Sequence, residues 1–169
     1  MLDSTLFSPA TRKWLGVAAL VIVLDHLSKW WVSDALEYQQ MIPVFPFFSL
    51  VLVHNQGAAF SFLADAGGWQ RWFFIGIGIV ATVIIVRLLK THAHEPRMAL
   101  ALALVLGGAL GNVLDRVMLG YVVDFLYFHY QGFGWPAFNV ADTAISIGAA
   151  MLIWDSFFSK TAKAGDATQ

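Results

Sequence analysis

Four long apolar windows constrain this chain more than any other feature of its sequence. A helix that crosses the hydrocarbon core of a bilayer needs about 20 mostly apolar residues, and the windows 14–32, 69–89, 98–119 and 141–158 approach that length. The chain is 59% hydrophobic and 12% charged, whereas soluble domains have about 25% charged residues. The sequence therefore predicts an all-α membrane protein with four transmembrane helices, in one domain that covers residues 1–169.

Composition excludes several classes of function. The net charge is −1 with no basic cluster, so no surface is available to neutralise the phosphates of a nucleic acid. Cysteine is absent, which excludes disulfides, thiol nucleophiles and thiolate metal sites. The chain contains neither an H-E-x-x-H motif nor a serine in a G-x-S-x-G setting. We therefore predict a protein that uses no metal and no other cofactor.

The basic residues predict how the chain lies in the membrane. Cytoplasmic segments are enriched in Lys and Arg, and 7 of the 10 basic residues lie beside the ends of the windows that would share one side: Arg12, Lys13, Arg87, Lys90, Arg97, Lys160 and Lys163. Both termini are thus predicted to be cytoplasmic. The segments between the first two windows and between the last two are predicted to face outward.

The two outward segments differ from an ordinary solvated loop. Residues 47–53 are rich in β-branched and aromatic side chains and lie between a proline and the turn residues 55–57, which favours a strand. A small sheet over about 40–66 is therefore predicted on the outer surface. Residues 120–136 carry seven aromatic rings, as expected for a loop at the headgroup level.

Ionisable residues within the windows need a partner or a task, because a charge near the bilayer centre costs about 2.5 to 3.5 kcal/mol on insertion scales. Asp25 and Lys29 are four residues apart and share one helix face. They are predicted to form an ion pair near the outer interface, with the Lys29 ammonium extended towards water. A role beside an active site is the alternative.

The third window ends in a pattern of small and polar residues. Gly107 and Gly111 form a G-x-x-x-G pair, which favours close helix packing. Asn112 and Arg116 share a face with Gly108, so an amide and a guanidinium project together at the outer end of this helix. The guanidinium either belongs to a structural network or grips a carbonyl or phosphate group, and the residues alone leave both open.

Two carboxylates flank the start of the fourth window. Asn139 is a natural N-cap, and Asp142 would be the third helical residue, where the helix dipole favours a negative charge. Asp124 lies between valines and a phenylalanine with no adjacent base and no turn residues. Because only a short segment joins the third and fourth windows, Asp124 and Asp142 are predicted to meet at the outer surface.

Paired carboxylates can hydrolyse a peptide bond. Like charges a few Å apart do not both ionise, so such a pair holds one shared proton. The ionised member can take a proton from water as it attacks a carbonyl, while the other donates to the oxyanion. Two other classes remain open on this basis: a transporter or proton-coupled channel with intramembrane carboxylates, and a structural or assembly protein.

Five motifs in order give the chain a family resemblance. They are DHLSK at 25–29, HNQGAAFSF at 54–62, GGALGNVLDRV at 107–117, YVVDF at 121–125 and PAFNVADTAI at 136–145. Together they resemble the bacterial lipoprotein signal peptidase, or type II signal peptidase, an aspartyl peptidase of the bacterial cytoplasmic (inner) membrane. The resemblance implies four transmembrane helices, cytoplasmic termini and a periplasmic β-cradle between the first two spans.

The resemblance also implies an activity and a set of partners. Members of this family remove the signal peptide from prolipoproteins by cleaving before a diacylglyceryl-modified cysteine, near the outer face of the membrane, and they are targets of the antibiotic globomycin. Asp124 and Asp142 match the catalytic residues. The residues that match family positions for substrate contact or support of the active site are Asn55, Asn112, Arg116 and Asn139. Those that match structural positions of the motifs are Asp25, Lys29, Gly57, Gly108 and Asp115.

The chain departs from the family pattern at two histidines. His26 stands where glutamine is usual, and His54 stands where tyrosine or arginine is common. Whether they tune pH behaviour or substrate preference stays open.

The substrate that the resemblance implies is a membrane helix with a lipid on its cysteine. We therefore predict that Asp124 and Asp142 line a polar notch open to the outside.

Overall fold

Four long helices form the body of the protein. The structure is a computed structural model that describes residues 7–57 and 67–165, with side chains up to residue 157; part of the predicted sheet (58–66) and the chain ends lie outside these residues. The helices are α1 (Pro9–Ala35), α2 (Trp69–Thr91), α3 (Pro96–Met118) and α4 (Val140–Gly165). Each is long and apolar enough to cross a membrane, which confirms the four predicted spans, although α4 continues beyond residue 158.

A four-stranded antiparallel sheet covers one end of the helices. Its strands are β1 (Met41–Phe45), β2 (Phe48–Asn55), β3 (Val122–Tyr130) and β4 (Phe133–Gly134), in the order β1-β2-β3-β4. We call this the sheet end of the molecule. It includes the C-terminal ends of α1 and α3 and the start of α4, because the chain passes directly between these elements and the strands.

The sheet is larger than the sequence predicts. A loop was expected over 120–136, but nine of its residues form β3, which pairs with β2. The stretch VVDFLYFHY is rich in β-branched and aromatic residues, which are enriched in strands, so the signal for a strand was present. The pairing places Asp124 opposite Val53, two residues before Asn55.

Helix α3 lies at the centre of the bundle. Half of its apolar window is buried, compared with 17% for α2 and for α4. Small residues allow this: a Cβ at Gly107 would come within 2.6 Å of the Ala18 carbonyl oxygen on α1, and one at Gly108 would meet the Ala141 carbonyl oxygen on α4. The predicted packing role of the glycines in α3 is confirmed, and it brings α1 and α4 against one helix.

A second apolar cluster fixes the sheet to the helices. Val32 and Leu36 at the end of α1 pack with Leu52 of β2 and with Val123 and Phe125 of β3. All five side chains are buried. Since Val123 and Phe125 point into this cluster and side chains alternate along a strand, Asp124 between them is directed to the other face.

Candidate active site

Asp142 is held at the first turn of α4. The Asn139 side-chain oxygen accepts a hydrogen bond from the Asp142 backbone N–H at 2.8 Å, so Asn139 is the predicted N-cap and Asp142 is the third helical residue. One Asp142 carboxylate oxygen accepts a hydrogen bond of 2.8 Å from the Asn112 amide on α3. The carboxylate is therefore fixed from two helices and lies where the helix dipole favours negative charge.

Asp124 is buried on β3 and is held by two amides. The residue is 2% exposed. One carboxylate oxygen accepts a hydrogen bond from Asn55 at 2.9 Å and the other accepts one from Asn139 at 2.7 Å. Both of these hydrogen bonds come from asparagines of the motifs named above.

Two asparagines connect the carboxylates. The Asn139 amide that donates to Asp124 also lies 3.4 Å from the side-chain oxygen of Asn112, and Asn112 donates to Asp142. A continuous path of hydrogen bonds therefore runs from Asp124 through Asn139 and Asn112 to Asp142. The structure brings together the two residues that the sequence predicts to meet.

The environment of Asp124 favours its protonated form. Burial, and then the neighbouring carboxylate of Asp142, raise the pKa of Asp124 to about 7. Hydrogen bonds from Asn55 and Asn139 oppose this shift, because they stabilise the charged form. A carboxyl group with a pKa near neutrality can hold or release a proton at physiological pH, as general acid-base catalysis requires.

A buried ion cluster lies directly behind the two carboxylates. The Lys29 ammonium is 2.6 Å from a carboxylate oxygen of Asp25 and 2.8 Å from one of Asp115. Lys29 is only 3% exposed. The ion pair of Asp25 and Lys29 was predicted correctly, but the expected extension of Lys29 towards water is wrong, because Asp115 on α3 supplies a second carboxylate inside the bundle.

This cluster positions the elements that carry the site. The second oxygen of Asp25 accepts a hydrogen bond from the Ala141 backbone N–H at 2.8 Å, which fixes the start of α4. Asp115 accepts one from the Val123 backbone N–H at 3.3 Å, one residue before Asp124. One buried cluster therefore sets the positions of both carboxylates relative to each other.

Lys29 also determines how the Asn112 amide is oriented. Its ammonium lies 3.3 Å from the Asn112 side-chain oxygen. An ammonium only donates hydrogen bonds, so it selects the orientation in which the amide oxygen faces Lys29. The Asn112 amino group then faces Asp142.

Arg116 joins the turn after β2 to α3. Its guanidinium donates to the Gly57 carbonyl at 2.8 Å and to the Asn112 carbonyl at 3.2 Å, and it lies over the ring of Phe74 at 4.9 Å. The Gly57 N–H in turn donates to the Asn55 side chain at 3.0 Å. These two hydrogen bonds of the fork go to backbone carbonyls of the protein, and they fix the turn that carries Asn55.

A cavity of about 580 Å³ opens beside this network. Asp142, Asn112 and Arg116 line it together with the cover segment 135–138, which we define by its residues Trp135, Pro136, Ala137 and Phe138. Asp124 is not among the lining residues. The prediction that both aspartates line one notch is therefore wrong for this cavity, because the amides of Asn55 and Asn139 cover the Asp124 carboxylate.

Further polar residues reach the cavity that the sequence did not single out. Thr143 and Ser146 of α4 line it beside Ile147. Ser146 shares the helix face of Asp142, since residues three and four apart are neighbours on a helix, and Thr143 lies three residues before Ser146. Helical spacing from Asp142 is a signal that identifies Ser146, whereas no such spacing points to Thr143.

The two histidines that depart from the family pattern have distinct surroundings. His54 is stacked on the ring of Tyr121, with centroids 4.0 Å apart, and the ring of Tyr38 lies tilted against it at 4.7 Å. Burial lowers the pKa of His54. The Nδ1 of His26 donates to the Ile22 carbonyl at 3.1 Å, and its Nε2 lies 3.7 Å from Asp115. His54 therefore belongs to an aromatic stack, and His26 borders the ion cluster.

Comparisons with known proteins agree with this architecture. The family model of signal peptidase (SPase) II matches residues 17–158. The lipoprotein signal peptidase of Burkholderia mallei is 53% identical over 146 residues, which are 86% of this chain and 88% of that protein. The lipoprotein signal peptidase of Paraburkholderia phymatum is 52% identical over 157 residues, which are 91% and 95% of the two chains.

Solved structures show the same fold. A bacterial membrane enzyme determined by the in meso method at 2.3 Å resolution is similar with a TM-score of 0.80 and 29% identity, over 89% of this chain and 91% of the other. A second, at 1.9 Å, has a TM-score of 0.75 and 29% identity over 86% and 93%. From the family model and the relatives, this chain is a member of the signal peptidase II family, the aspartic peptidases that remove signal peptides from prolipoproteins.

Proposed function

We propose that Asp124 and Asp142 are the catalytic pair of this peptidase and that Asp124 carries the shared proton at rest. The raised pKa of Asp124 supports the assignment of the proton, because burial disfavours its charged form. Asp142 lines the cavity, so it is the member of the pair that we assign to water and substrate. The observation that carries the proposal is the hydrogen-bonded path through Asn139 and Asn112 that holds the two carboxylates as one unit.

The first half of the reaction adds water to the scissile carbonyl. Asp142 removes a proton from the water as its oxygen bonds to the carbonyl carbon. Asp124 donates its proton to the carbonyl oxygen, which reaches it as the covering amide of Asn55 moves aside. The product of this step is a neutral tetrahedral diol. Asp142 is then protonated and Asp124 is ionised, with Asn55 and Asn139 donating hydrogen bonds to the new carboxylate.

The second half breaks the peptide bond and restores the enzyme. Asp142 gives its proton to the departing amide nitrogen as the carbon–nitrogen bond breaks. Asp124 takes the proton of one diol hydroxyl as the new carboxyl carbonyl forms. Each aspartate ends in its starting state, so the cycle consumes only water and needs no metal ion or covalent intermediate.

The substrate is a prolipoprotein whose new N-terminal cysteine carries a diacylglyceryl group. The cover segment 135–138 offers aromatic and apolar side chains beside Asp142, which suits a lipid-modified residue near the headgroup level. The protein then lies in the inner membrane with its sheet end facing the periplasm. Both termini lie in the cytoplasm, as the basic residues predict. A peptide antibiotic such as globomycin would act by filling the same cavity.

The test replaces each aspartate by its uncharged isostere. Asp124→Asn and Asp142→Asn are each expected to lower kcat for a diacylglyceryl-modified prolipoprotein in detergent by at least about 10²-fold, since a positioned acid or base contributes about 10²- to 10⁴-fold. Asp34→Asn, at an exposed position near the end of α1, is the matched control and should retain activity. An aspartate variant with the wild-type rate would refute the assignment.

A further inference from the structure

One face of α4 leads away from the active site. Thr143, Ser146 and Ile147 line the active-site cavity. Ile147 also lines a second cavity of about 360 Å³. The other residues that line this cavity are Ala150, Met151, Trp154 and Asp155, further along α4, and Arg97 at the start of α3. The members from α4 recur every three or four residues, so they form one stripe. We call this stripe, with Arg97, the α4 groove.

The α4 groove has the length of a membrane-embedded helix segment. Asp142 and Asp155 are 13 positions apart, which corresponds to about 20 Å at 1.5 Å per residue. The hydrocarbon core of a bilayer is about 30 Å thick. The groove therefore runs from the active site across most of the membrane, and the exposed ring of Trp154 marks its far end at a depth where tryptophan is enriched.

The far end of the groove is charged. The side chains of Ile147, Ala150 and Met151 are apolar, whereas Asp155 places a carboxylate beside them. Among the side chains described, up to residue 157, Asp155 forms no ion pair within 4 Å, and Arg97 is exposed and does not pair with it. Although Arg97 lines the same cavity, the Asp155 carboxylate is open to an ion pair with a cation of a bound partner at the edge of the apolar stripe.

A signal peptide is complementary to the apolar stripe of α4 and to the carboxylate of Asp155. It consists of a basic N-terminal region, an apolar stretch of about 7 to 15 residues and a cleavage site with small residues. An apolar helix of 13 residues is about 20 Å long, the distance from Asp142 to Asp155. With the cleavage site at the sheet end, the basic region reaches the opposite end of the groove.

We propose that the α4 groove binds the apolar helix of the signal peptide and that Asp155 pairs with basic residues at its N-terminal end. The inference rests on the proposed catalytic role of Asp124 and Asp142, because their position fixes which end of the signal peptide lies where. The pairing occurs far from the reacting bond. It therefore contributes to substrate binding and leaves the chemical step unchanged.

Charge exchange between enzyme and substrate tests the pairing. Asp155→Lys is expected to raise KM about 3- to 10-fold for a prolipoprotein with two lysines in its N-terminal region, as an exposed ion pair and its reversal imply, with kcat unchanged. The same variant should lower KM for a substrate in which both lysines are replaced by glutamate. Glu95→Lys, at an exposed residue outside the groove, is the control and should not distinguish the two substrates.

Filling the groove tests the path of the helix. Ala150→Trp should raise KM for both substrates, whereas Ile153→Trp, on a lipid-exposed part of α4 outside the groove, should not. The melting temperatures of both variants show whether either has failed to fold. If one has, the charge exchange at Asp155 decides whether the signal peptide binds in the groove. If Asp155→Lys has the same KM as the wild type for each of the two substrates, the groove holds lipid and the inference is overturned.

The two proposals fail in different ways. If the catalytic assignment is wrong, Asp124→Asn will cleave the substrate, whatever the charge of the signal peptide. If the groove assignment is wrong, the ratio of the KM of Asp155→Lys to the KM of the wild type will be the same for both substrates, in an enzyme that still depends on Asp124. Both measurements use the full chain and the same prolipoprotein.

Discussion

Asn139 offers the sharpest test of how the site controls its proton. Its side-chain oxygen caps α4, while its amide donates to Asp124 at 2.7 Å. Asn139→Ser separates these tasks, because serine is a good N-cap but carries no amide that could reach Asp124. The variant therefore keeps the helix start and removes one of two hydrogen bonds that stabilise the ionised form of Asp124.

The magnitude follows from the strength of that bond. A hydrogen bond to a charged group contributes about 1.5 to 3 kcal/mol, and about 1.4 kcal/mol corresponds to one pKa unit. Removing it raises the pKa of Asp124 further by at least about one unit. The proposed mechanism requires protonated Asp124, so kcat/KM of the wild type should fall as pH rises through about 7. In Asn139→Ser this alkaline fall should move upward by about one pH unit.

The assay is a pH profile of kcat/KM on a fluorogenic lipopeptide in detergent micelles. Asn55→Ala, which removes the other donor to Asp124, should shift the alkaline fall in the same direction. Ser28→Ala removes a side-chain hydrogen bond of 2.8 Å within α1 and should leave it unchanged. An alkaline fall that stays in place or moves downward in Asn139→Ser would show that this amide does not set the proton affinity of Asp124.

Further predictions concern packing, charge and metal. Lys29→Met leaves the buried carboxylates of Asp25 and Asp115 without their cation and should lower the free energy of unfolding by about 3 to 5 kcal/mol, seen as a lower melting temperature in detergent. Gly108→Ala forces a methyl group against the α4 backbone and should destabilise by about 1 to 3 kcal/mol, whereas Gly16→Ala, with open space at its Cβ, should not. Excess chelator should leave the wild-type cleavage rate unchanged, and a loss restored by added metal would contradict the proposed mechanism.

Much of the architecture could be predicted because it depends on local sequence. Hydrophobicity over about 20 residues decides whether a helix can span a bilayer, and all four windows became helices. The cap of α4 is equally local, since Asn139 and Asp142 are three residues apart. The strand β3 was missed although its composition is strand-like, because aromatic residues beside a membrane also favour an interfacial loop.

The sequence by itself determined which residues are available and which local conformations they adopt: four spanning helices, a capped carboxylate at the start of α4 and a second carboxylate nearby. Only the tertiary structure decided their partners. Asn55 reaches Asp124 across 69 residues, Lys29 reaches Asn112 across 83 and Asp25 reaches the α4 backbone across 116. Such contacts depend on how helices and strands pack, and a buried charge adopts the direction in which packing supplies its counter-charge. That is why Lys29 lies inside the bundle. Packing likewise places the amides of Asn55 and Asn139 over Asp124, while Asp142 remains open to the cavity.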